Sequence, residues 1–195
     1  SGSTGKPKGI LVSHRSFRNM HEAHRKMDVL HEDNRVLQFA SVSFSISLWG
    51  SFMAWLAGGT LYQVNDEESL PGEPLYRLLK EERINTVTWP VSLLSTLSEE
   101  GLDDLKTIIS SAEPCTEAVM QRWSRNGRRF MNMYGNSEVS LGSTVFEYGS
   151  DNQRLTIGKP FPNTRMYLLD RNLQQVPVGV ISEIYTAGAG LARGY

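Results

Sequence analysis

Residues 84–111 read INTVTWPVSLLSTLSEEGLDDLKTIISS, and their order decides the fold. INTVTW (84–89) is rich in β-branched and aromatic residues and predicts a strand. Pro90 follows, where a fixed φ favours the start of a helix, and LKTIISS (105–111) predicts a buried strand. Strand, helix, strand in this order predicts parallel pairing with helices on the sheet faces. The pattern extends both ways. Upstream are a helix over SHRSFRNMHEAHRKM (13–27) with Ser13 as its N-cap, strand 35–40, helix 45–56, strand TLYQV (60–64), loop 65–74 and helix 75–82. The apolar run at 10–12 predicts a further short strand. Downstream, a helix over 116–125 that Gly127 can end precedes strand RFMNMY (129–134).

Around residue 150 the texture changes. STVFEY (143–148), RLTIG (154–158), TRMYLLD (164–170) and SEIYTAG (182–188) predict short strands between turn residues, without helices. The expected fold is α/β: a mostly parallel sheet flanked by helices, followed by a small β-rich region. The boundary is expected at 149–152, dividing an α/β core over 1–150 from a β-rich subdomain over 151–195. Sheets of this kind bind ligands beyond the C-terminal ends of their strands.

Composition narrows the function. With 39% hydrophobic and 21% charged residues the 195-residue chain is globular, and a net charge of −1 supplies no global field for nucleic acid or an anionic membrane. Cys115 is the single cysteine, so an internal disulfide and a cysteine-built zinc site are excluded, in keeping with a reducing, cytoplasmic setting. The most apolar stretch, ISLWGSFMAWLAGG (46–59), is shorter than a membrane span and glycine-broken, and reads as a core helix.

The first ten residues, SGSTGKPKGI, gather Gly2, Gly5 and Gly9, the hydroxyls of Ser1, Ser3 and Thr4, and the ammonium groups of Lys6 and Lys8. Glycines let successive N–H groups turn toward one point, and with lysines beside them they make a phosphate holder. The P-loop pattern does not fit: only two residues separate Gly2 from Gly5, and Pro7 stands where Ser or Thr should follow the lysine. A glycine-serine linker is the plain alternative. A second cluster, MNMYGNSE (131–138), follows a predicted strand at the ligand end of the sheet. It offers the Tyr134 ring for a base, Gly135 for close approach, the Ser137 hydroxyl, and the Glu138 carboxylate for magnesium.

Together the two clusters resemble the adenylate-forming superfamily, and within it the adenylation domains of nonribosomal peptide synthetases. SGSTGKPKG is similar to that family's phosphate loop, NMYGNSE to its Tyr-Gly-x-Thr/Ser-Glu motif, IGKPFPNTRMYLLD (157–170) to the segment that follows, and GAGLARGY (188–195) to a later glycine-rich stretch. The likeness spans the chain in order. Family members are far longer, so the chain is expected to be a fragment of the large N-terminal part of an adenylate-forming enzyme.

The resemblance implies that a carboxylate attacks the α-phosphate of ATP, giving an acyl-adenylate and pyrophosphate. The acyl group then passes to the phosphopantetheine thiol of a carrier protein. ATP and Mg2+ are the implied cofactors, and the work is charge neutralisation during in-line displacement. Carried over by motif, Ser1, Ser3, Thr4, Lys6 and Lys8 would hold the β- and γ-phosphates, with Gly2, Gly5 and Gly9 also in the ATP-binding set. Tyr134 would stack on adenine with Gly135 also in the ATP-binding set, Ser137 would meet the α-phosphate or substrate carboxylate, and Glu138 the metal, with Lys6, Lys8, Ser137 and Glu138 as the catalytic set. SSAEP (110–114) resembles the adenine-pocket segment, which makes Ala112 and Glu113 secondary candidates; a plain surface carboxylate is the other reading of Glu113.

FASVSFSISLWGSFMAWLAGGTLY (39–62) resembles the family's substrate-pocket region. Members that activate α-amino acids carry aspartate after the second phenylalanine, pairing the substrate ammonium; here Ser45 follows Phe44. Burying that ammonium unpaired costs about 3–5 kcal/mol. The expected substrate is therefore an α-keto, α-hydroxy or aryl acid, or an atypical amino acid. The matching pocket positions are Ser45, Ile46, Trp49, Thr88, Ile109, Ser111, Met133, Leu141 and Gly142, mostly apolar, with Trp49 limiting depth and core packing as the alternative role.

His14, His21, His24 and His31 lack a metal-site pattern and read as histidines of a solvated face; GRR (127–129) reads as a solvated helix end, and Cys115 as no nucleophile. Two other functions stay open: an acyl-CoA ligase, separated by delivery to coenzyme A rather than to a carrier, and a nucleotide-binding fragment without turnover. The family's ribose-binding Thr-Gly-Asp motif and C-terminal lysine lie outside this chain, so the 195 residues alone are expected not to form adenylate at a useful rate.

Overall fold

The computed structural model describes residues 5, 8–29, 31–65, 67–149 and 154–195. The elements run α1 (His14–Lys26), β1 (Arg35–Gln38), α2 (Ser45–Ala57), β2 (Thr60–Gln63), α3 (Glu73–Glu81), β3 (Thr86–Trp89), α4 (Val91–Thr96), β4 (Thr107–Ser110), α5 (Glu117–Trp123), β5 (Arg129–Tyr134), β6 (Thr144–Glu147), β7 (Lys159–Pro160), β8 (Thr164–Leu169) and β9 (Glu183–Gly188). Seven strands form one sheet in the order β2-β1-β3-β4-β5-β6-β7, and β8 and β9 form a second. Pairing is parallel from β2 to β5 and antiparallel for β6, β7 and the β8–β9 pair.

Period-two alternation sorts the strands' side chains onto two faces. Val87, Ile108 and Phe130 face a core completed by Leu75, Leu79, Leu94, Met120 and Trp123 from α3, α4 and α5. Ile109, Met131 and Met133 face Met20 and Ala23 of α1 and Trp49 and Met53 of α2. The strand order reverses between β1 and β3, a switch point of the kind near which such sheets bind ligands. β7 keeps the main sheet going past residue 150, and Phe161 beyond it packs into the second core.

Caps fall where the sequence puts them. Ser13 Oγ accepts from the Ser16 N–H at 3.1 Å, and Thr116 Oγ1 from the Val119 N–H at 3.3 Å. Pro90 is the cap of α4 rather than its first residue. The apolar helix α2 is core on one side only: Trp49, Met53 and Ala54 are buried, whereas Leu48, Trp55 and Leu56 are exposed. Among the described residues no helix is long and apolar enough to cross a membrane.

Four expectations need correction. Residues 10–12 form no strand; instead the Leu11 N–H donates to the Gly194 carbonyl at 2.9 Å, and the Leu11 carbonyl accepts from the Arg193 N–H at 2.8 Å. Residues 154–158 form none either. The Thr156 and Ile157 carbonyls accept side-chain donors, Asn132 Nδ2 at 3.0 Å and Thr144 Oγ1 at 2.5 Å, which displace a backbone ladder. GRR is not a solvated helix end: Arg128 is buried among carbonyl oxygens, and Arg129 donates to the Met27 carbonyl at 3.0 Å and to Glu147 at 2.7 Å.

His24, the fourth, is fully buried instead of solvated. Its Nδ1 lies 2.8 Å from the Met20 carbonyl, which can only accept, so Nδ1 carries the proton and Nε2 accepts the Trp49 indole N–H at 3.2 Å. Both ring nitrogens are engaged, and metal ligation is excluded. Burial pushes the His24 pKa down to about 4. Between that value and the ordinary 6.5, the unfolded chain binds a proton that the folded one does not. Stability is therefore complete above pH 6.5 and falls as pH drops toward 4, by about 3 kcal/mol in all. Unfolding free energies at a series of pH values should show this slope, and His24→Asn should flatten it. An unchanged slope in the variant would contradict the assignment.

Candidate active site

Two adjoining cavities open at the C-terminal ends of β4 and β5. The smaller, about 280 Å³, is walled by Phe44, Ser45, Ile46, Ser111, Ala112, Met133, Gly135, Asn136, Ser137, Glu138 and Leu141. The larger, about 520 Å³, shares Ala112, Met133 and Gly135 and adds Glu113, Cys115, Asn132, Tyr134 and Ile157. Besides the three shared residues, the small cavity brings together the predicted Ser45, Ile46, Ser111, Ser137, Glu138 and Leu141. Tyr134 stands at the mouth of the larger one, 43% exposed.

The turn after β5 is built on close backbone approach. A Cβ on Gly135 would sit 2.7 Å from both the Gly142 Cα and the Leu141 carbonyl oxygen, and one on Gly142 would sit 2.3 Å from Phe161 Cε2. The same turn carries Ser140 at φ +54° and Leu141 at φ +79°, and the neighbouring wall carries Ala112 at φ +69°. Left-handed conformations in such residues cost about 1–3 kcal/mol each and persist where surrounding bonds impose them. Here the Leu141 N–H donates to the Asn136 carbonyl at 3.0 Å and Ser140 Oγ to the Gly190 carbonyl at 2.7 Å.

Ser45 is the first residue of α2, and its Oγ lies 3.0 Å from Ser137 Oγ, joining a predicted pocket residue to a predicted catalytic one. Beside them, Glu138 is half-buried. Its Oε1 accepts the Tyr195 hydroxyl at 3.0 Å, a bond that raises the phenol's pKa, and its Oε2 has no partner among the described residues. Lys8 Nζ stands 5.7 Å over the Tyr195 ring. The backbone of this last segment is tied to both motifs: the Ala192 N–H donates to the Glu138 carbonyl at 2.8 Å, while residues 193 and 194 bond to Leu11. Lys8 and Glu138, 130 positions apart in sequence, are therefore joined through Tyr195.

Other predicted residues fall elsewhere. Ser1, Gly2, Ser3, Thr4 and Lys6 lie outside the described residues. A Cβ on Gly5 or Gly9 meets nothing within 4 Å, so internal packing requires glycine at neither position. Trp49 and Ile109 are fully buried core and wall neither cavity; Trp49 sets no pocket depth, because its indole is committed to His24. Thr88 and Gly142 also wall neither cavity. Glu113 walls the larger cavity, but its carboxylate caps α4, accepting the Ser92 N–H at 2.7 Å and the Ser92 hydroxyl at 3.0 Å. Cys115 is a half-buried thiol whose pKa is pushed up by burial, unlike an activated nucleophile.

Tyr195 is the residue that sequence reasoning missed; it stood inside a quoted motif without a role. Among the described residues no group of three or more His, Cys, Asp or Glu is placed to hold a metal. A single carboxylate with one oxygen unengaged, beside two serine hydroxyls, is a hard oxygen set. It fits Mg2+, which keeps its waters and takes one or two carboxylates together with phosphate oxygens. A separate cleft of about 850 Å³ between the start of α1 and the β8–β9 pair is walled by Arg15, Arg165 and Arg193, and none of the predicted residues opens onto it.

Known proteins resemble the chain along its whole length. The profile of the AMP-binding enzyme family matches residues 1–195. The chain is 42% identical over 195 residues to bacitracin synthase 3 of Bacillus licheniformis and 33% identical over 198 residues to tyrocidine synthase 1 of Brevibacillus parabrevis. All of this chain is covered in both matches, but only 3% and 18% of those proteins, so it spans a small share of the curated relatives it matches. Among solved structures, CmiS6 superposes with a TM-score of 0.87 at 28% identity, covering 97% of this chain and 49% of that one. The Klebsiella oxytoca NpsA N-terminal subdomain in complex with 3-hydroxybenzoyl-AMSN gives 0.81 at 26% identity, covering 100% and 50%.

Proposed function

This chain belongs to the AMP-binding enzyme family, and from that premise we propose that the protein carrying it activates a carboxylic acid with ATP. The products are an acyl-adenylate and pyrophosphate, and the acyl group then forms a thioester with the phosphopantetheine arm of a carrier protein. The observation that carries the reading is the junction of Lys8, Tyr195 and Glu138 beside the Ser45–Ser137 cavity.

In this mechanism the acid lies in the small cavity, its carboxylate toward the Ser137 hydroxyl, and adenine lies in the larger cavity against Tyr134. Lys8, with Ser1, Gly2, Ser3, Thr4, Gly5, Lys6 and Gly9, would hold the leaving phosphates, and Glu138 Oε2 would hold the metal. Mg2+ supplies charge neutralisation on the phosphate oxygens. The walls exclude water from the mixed anhydride, and Ser137 orients the attacking oxygen in line. We further assign the protein to the cytoplasm, with no nucleic-acid partner. Within it, residues 1–150 belong to the α/β core and 151–195 to a β-rich subdomain, with β7 crossing between them.

Apart from Glu138, no acidic residue among the described ones walls the small cavity, and Ser45 and Ser137 offer it hydroxyls. That supports an α-keto, α-hydroxy or aryl acid, or an amine placed atypically, and the aryl ligand of the NpsA complex fits the same class. ATP–pyrophosphate exchange across α-amino, α-keto, α-hydroxy and aryl acids is the test. Ser45→Asp should move the preference toward an α-amino acid by about 100-fold, because it pairs an ammonium that otherwise costs several kcal/mol to bury. A clear preference of the unaltered protein for one zwitterionic α-amino acid would contradict the substrate class. Transfer to coenzyme A but not to a carrier protein would contradict the partner.

A further inference from the structure

The 190–195 segment does more than close the turn. Lys8 and Glu138 carry opposite charges in one small region, yet the described residues show no ion pair between them. A direct pair would neutralise both groups and withdraw them from phosphate and metal. Tyr195 stands between. Its hydroxyl takes one oxygen of Glu138 at 3.0 Å, its ring receives Lys8 Nζ at 5.7 Å, and Glu138 Oε2 is left without a partner among the described residues.

The backbone fixes the tyrosine in that place. The Ala192 N–H donates to the Glu138 carbonyl at 2.8 Å, the Arg193 N–H to the Leu11 carbonyl at 2.8 Å, and the Leu11 N–H to the Gly194 carbonyl at 2.9 Å. The residue next in line is thus held from the turn side and from the loop side. Its side chain is 73% exposed and adds little to the core.

We propose that Tyr195 is a positioning residue, a spacer that keeps Lys8 and Glu138 from pairing and presents one Glu138 oxygen to a nucleotide-bound metal ion. This rests on the reading of Glu138 as the metal carboxylate. Removing the hydroxyl frees Glu138 to swing, and removing the ring as well lets Lys8 collapse onto it. Partners that orient a metal-binding carboxylate typically account for 10–100-fold in affinity.

Calorimetric titration of the complete protein with ATP, with and without Mg2+, tests the spacer by binding rather than turnover. Tyr195→Phe should weaken Mg·ATP binding about 10-fold while metal-free ATP binding stays within about twofold, and Tyr195→Ala should weaken Mg·ATP binding further. In a Glu138→Ala background, Tyr195→Phe should add nothing, since the two act as a unit. Thermal melting of Tyr195→Phe should match the parent's. If Glu138→Ala alone leaves Mg·ATP affinity unchanged, the metal reading fails. If Glu138→Ala weakens it but Tyr195→Phe does not, or if the two effects simply add, the metal reading stands and the spacer is overturned.

Discussion

Replacing Glu138 by alanine is expected to lower ATP–pyrophosphate exchange by about 100- to 1000-fold, equivalent to roughly 3–4 kcal/mol of transition-state stabilisation. The expectation follows from charge. Phosphoryl oxygens gain negative charge as pyrophosphate departs, and the described residues give the small cavity one carboxylate to hold the cation that neutralises it. The fold should survive the change. Glu138 is tied to the 190–195 segment by its backbone carbonyl, which accepts the Ala192 N–H at 2.8 Å, and alanine keeps that bond. Exchange assays at saturating Mg2+, beside a thermal melt, separate the two outcomes. A large loss of exchange with an unshifted melt is expected, and exchange within about threefold of the parent would refute the role of Glu138.

Arg128→Met is expected to cost about 3 kcal/mol of stability, with no direct effect on the site. Arg128 is 6% exposed, and its guanidinium donates to the carbonyls of Glu99 at 3.0 Å, Leu102 at 3.0 Å and Leu105 at 3.2 Å. The Glu99 carboxylate turns instead to Arg122 and Arg125, at 3.7 and 3.9 Å. Arg128 therefore organises the 99–105 loop as a bundle of donors for backbone acceptors. Methionine fills the volume and donates nothing, which strips the Glu99 and Leu105 carbonyls of this donor, while the Leu102 carbonyl keeps the Leu105 N–H at 3.2 Å. Part of the loss is offset because a desolvated cation is also removed. At about 2–4 °C per kcal/mol for a chain of this size, the melting temperature should fall by roughly 10 °C. A fall under about 2 °C would show that the carbonyls find water instead.

The sheet was legible because its signals are local. β3, α4 and β4 follow from β-branched runs and a proline at the junction, and Ser13 and Thr116 cap their helices with side-chain oxygens three residues from the N–H they bind. The cavity walls were legible only through motif resemblance: nothing in the spacing of Ser45 and Ser137 says that residues 92 positions apart share a hydrogen bond. Where reading failed, a long-range partner had intervened. His24 sits on a helix dense in charge, yet Trp49 and the Met20 carbonyl take both its nitrogens into the core. Trp49, expected to floor the pocket, is drawn away by the same bond. Residues 10–12 look like a strand because they are apolar, but their backbone partners come from the opposite end of the chain.

A structure of the complete protein with ATP and Mg2+ bound tests the central claim most directly. The account predicts adenine against Tyr134, the metal on Glu138 Oε2, and the terminal phosphates within reach of Lys8, all on one face of the Tyr195 bridge. Phosphates seated instead among Arg15, Arg165 and Arg193, in the cleft between α1 and the β8–β9 pair, would contradict it.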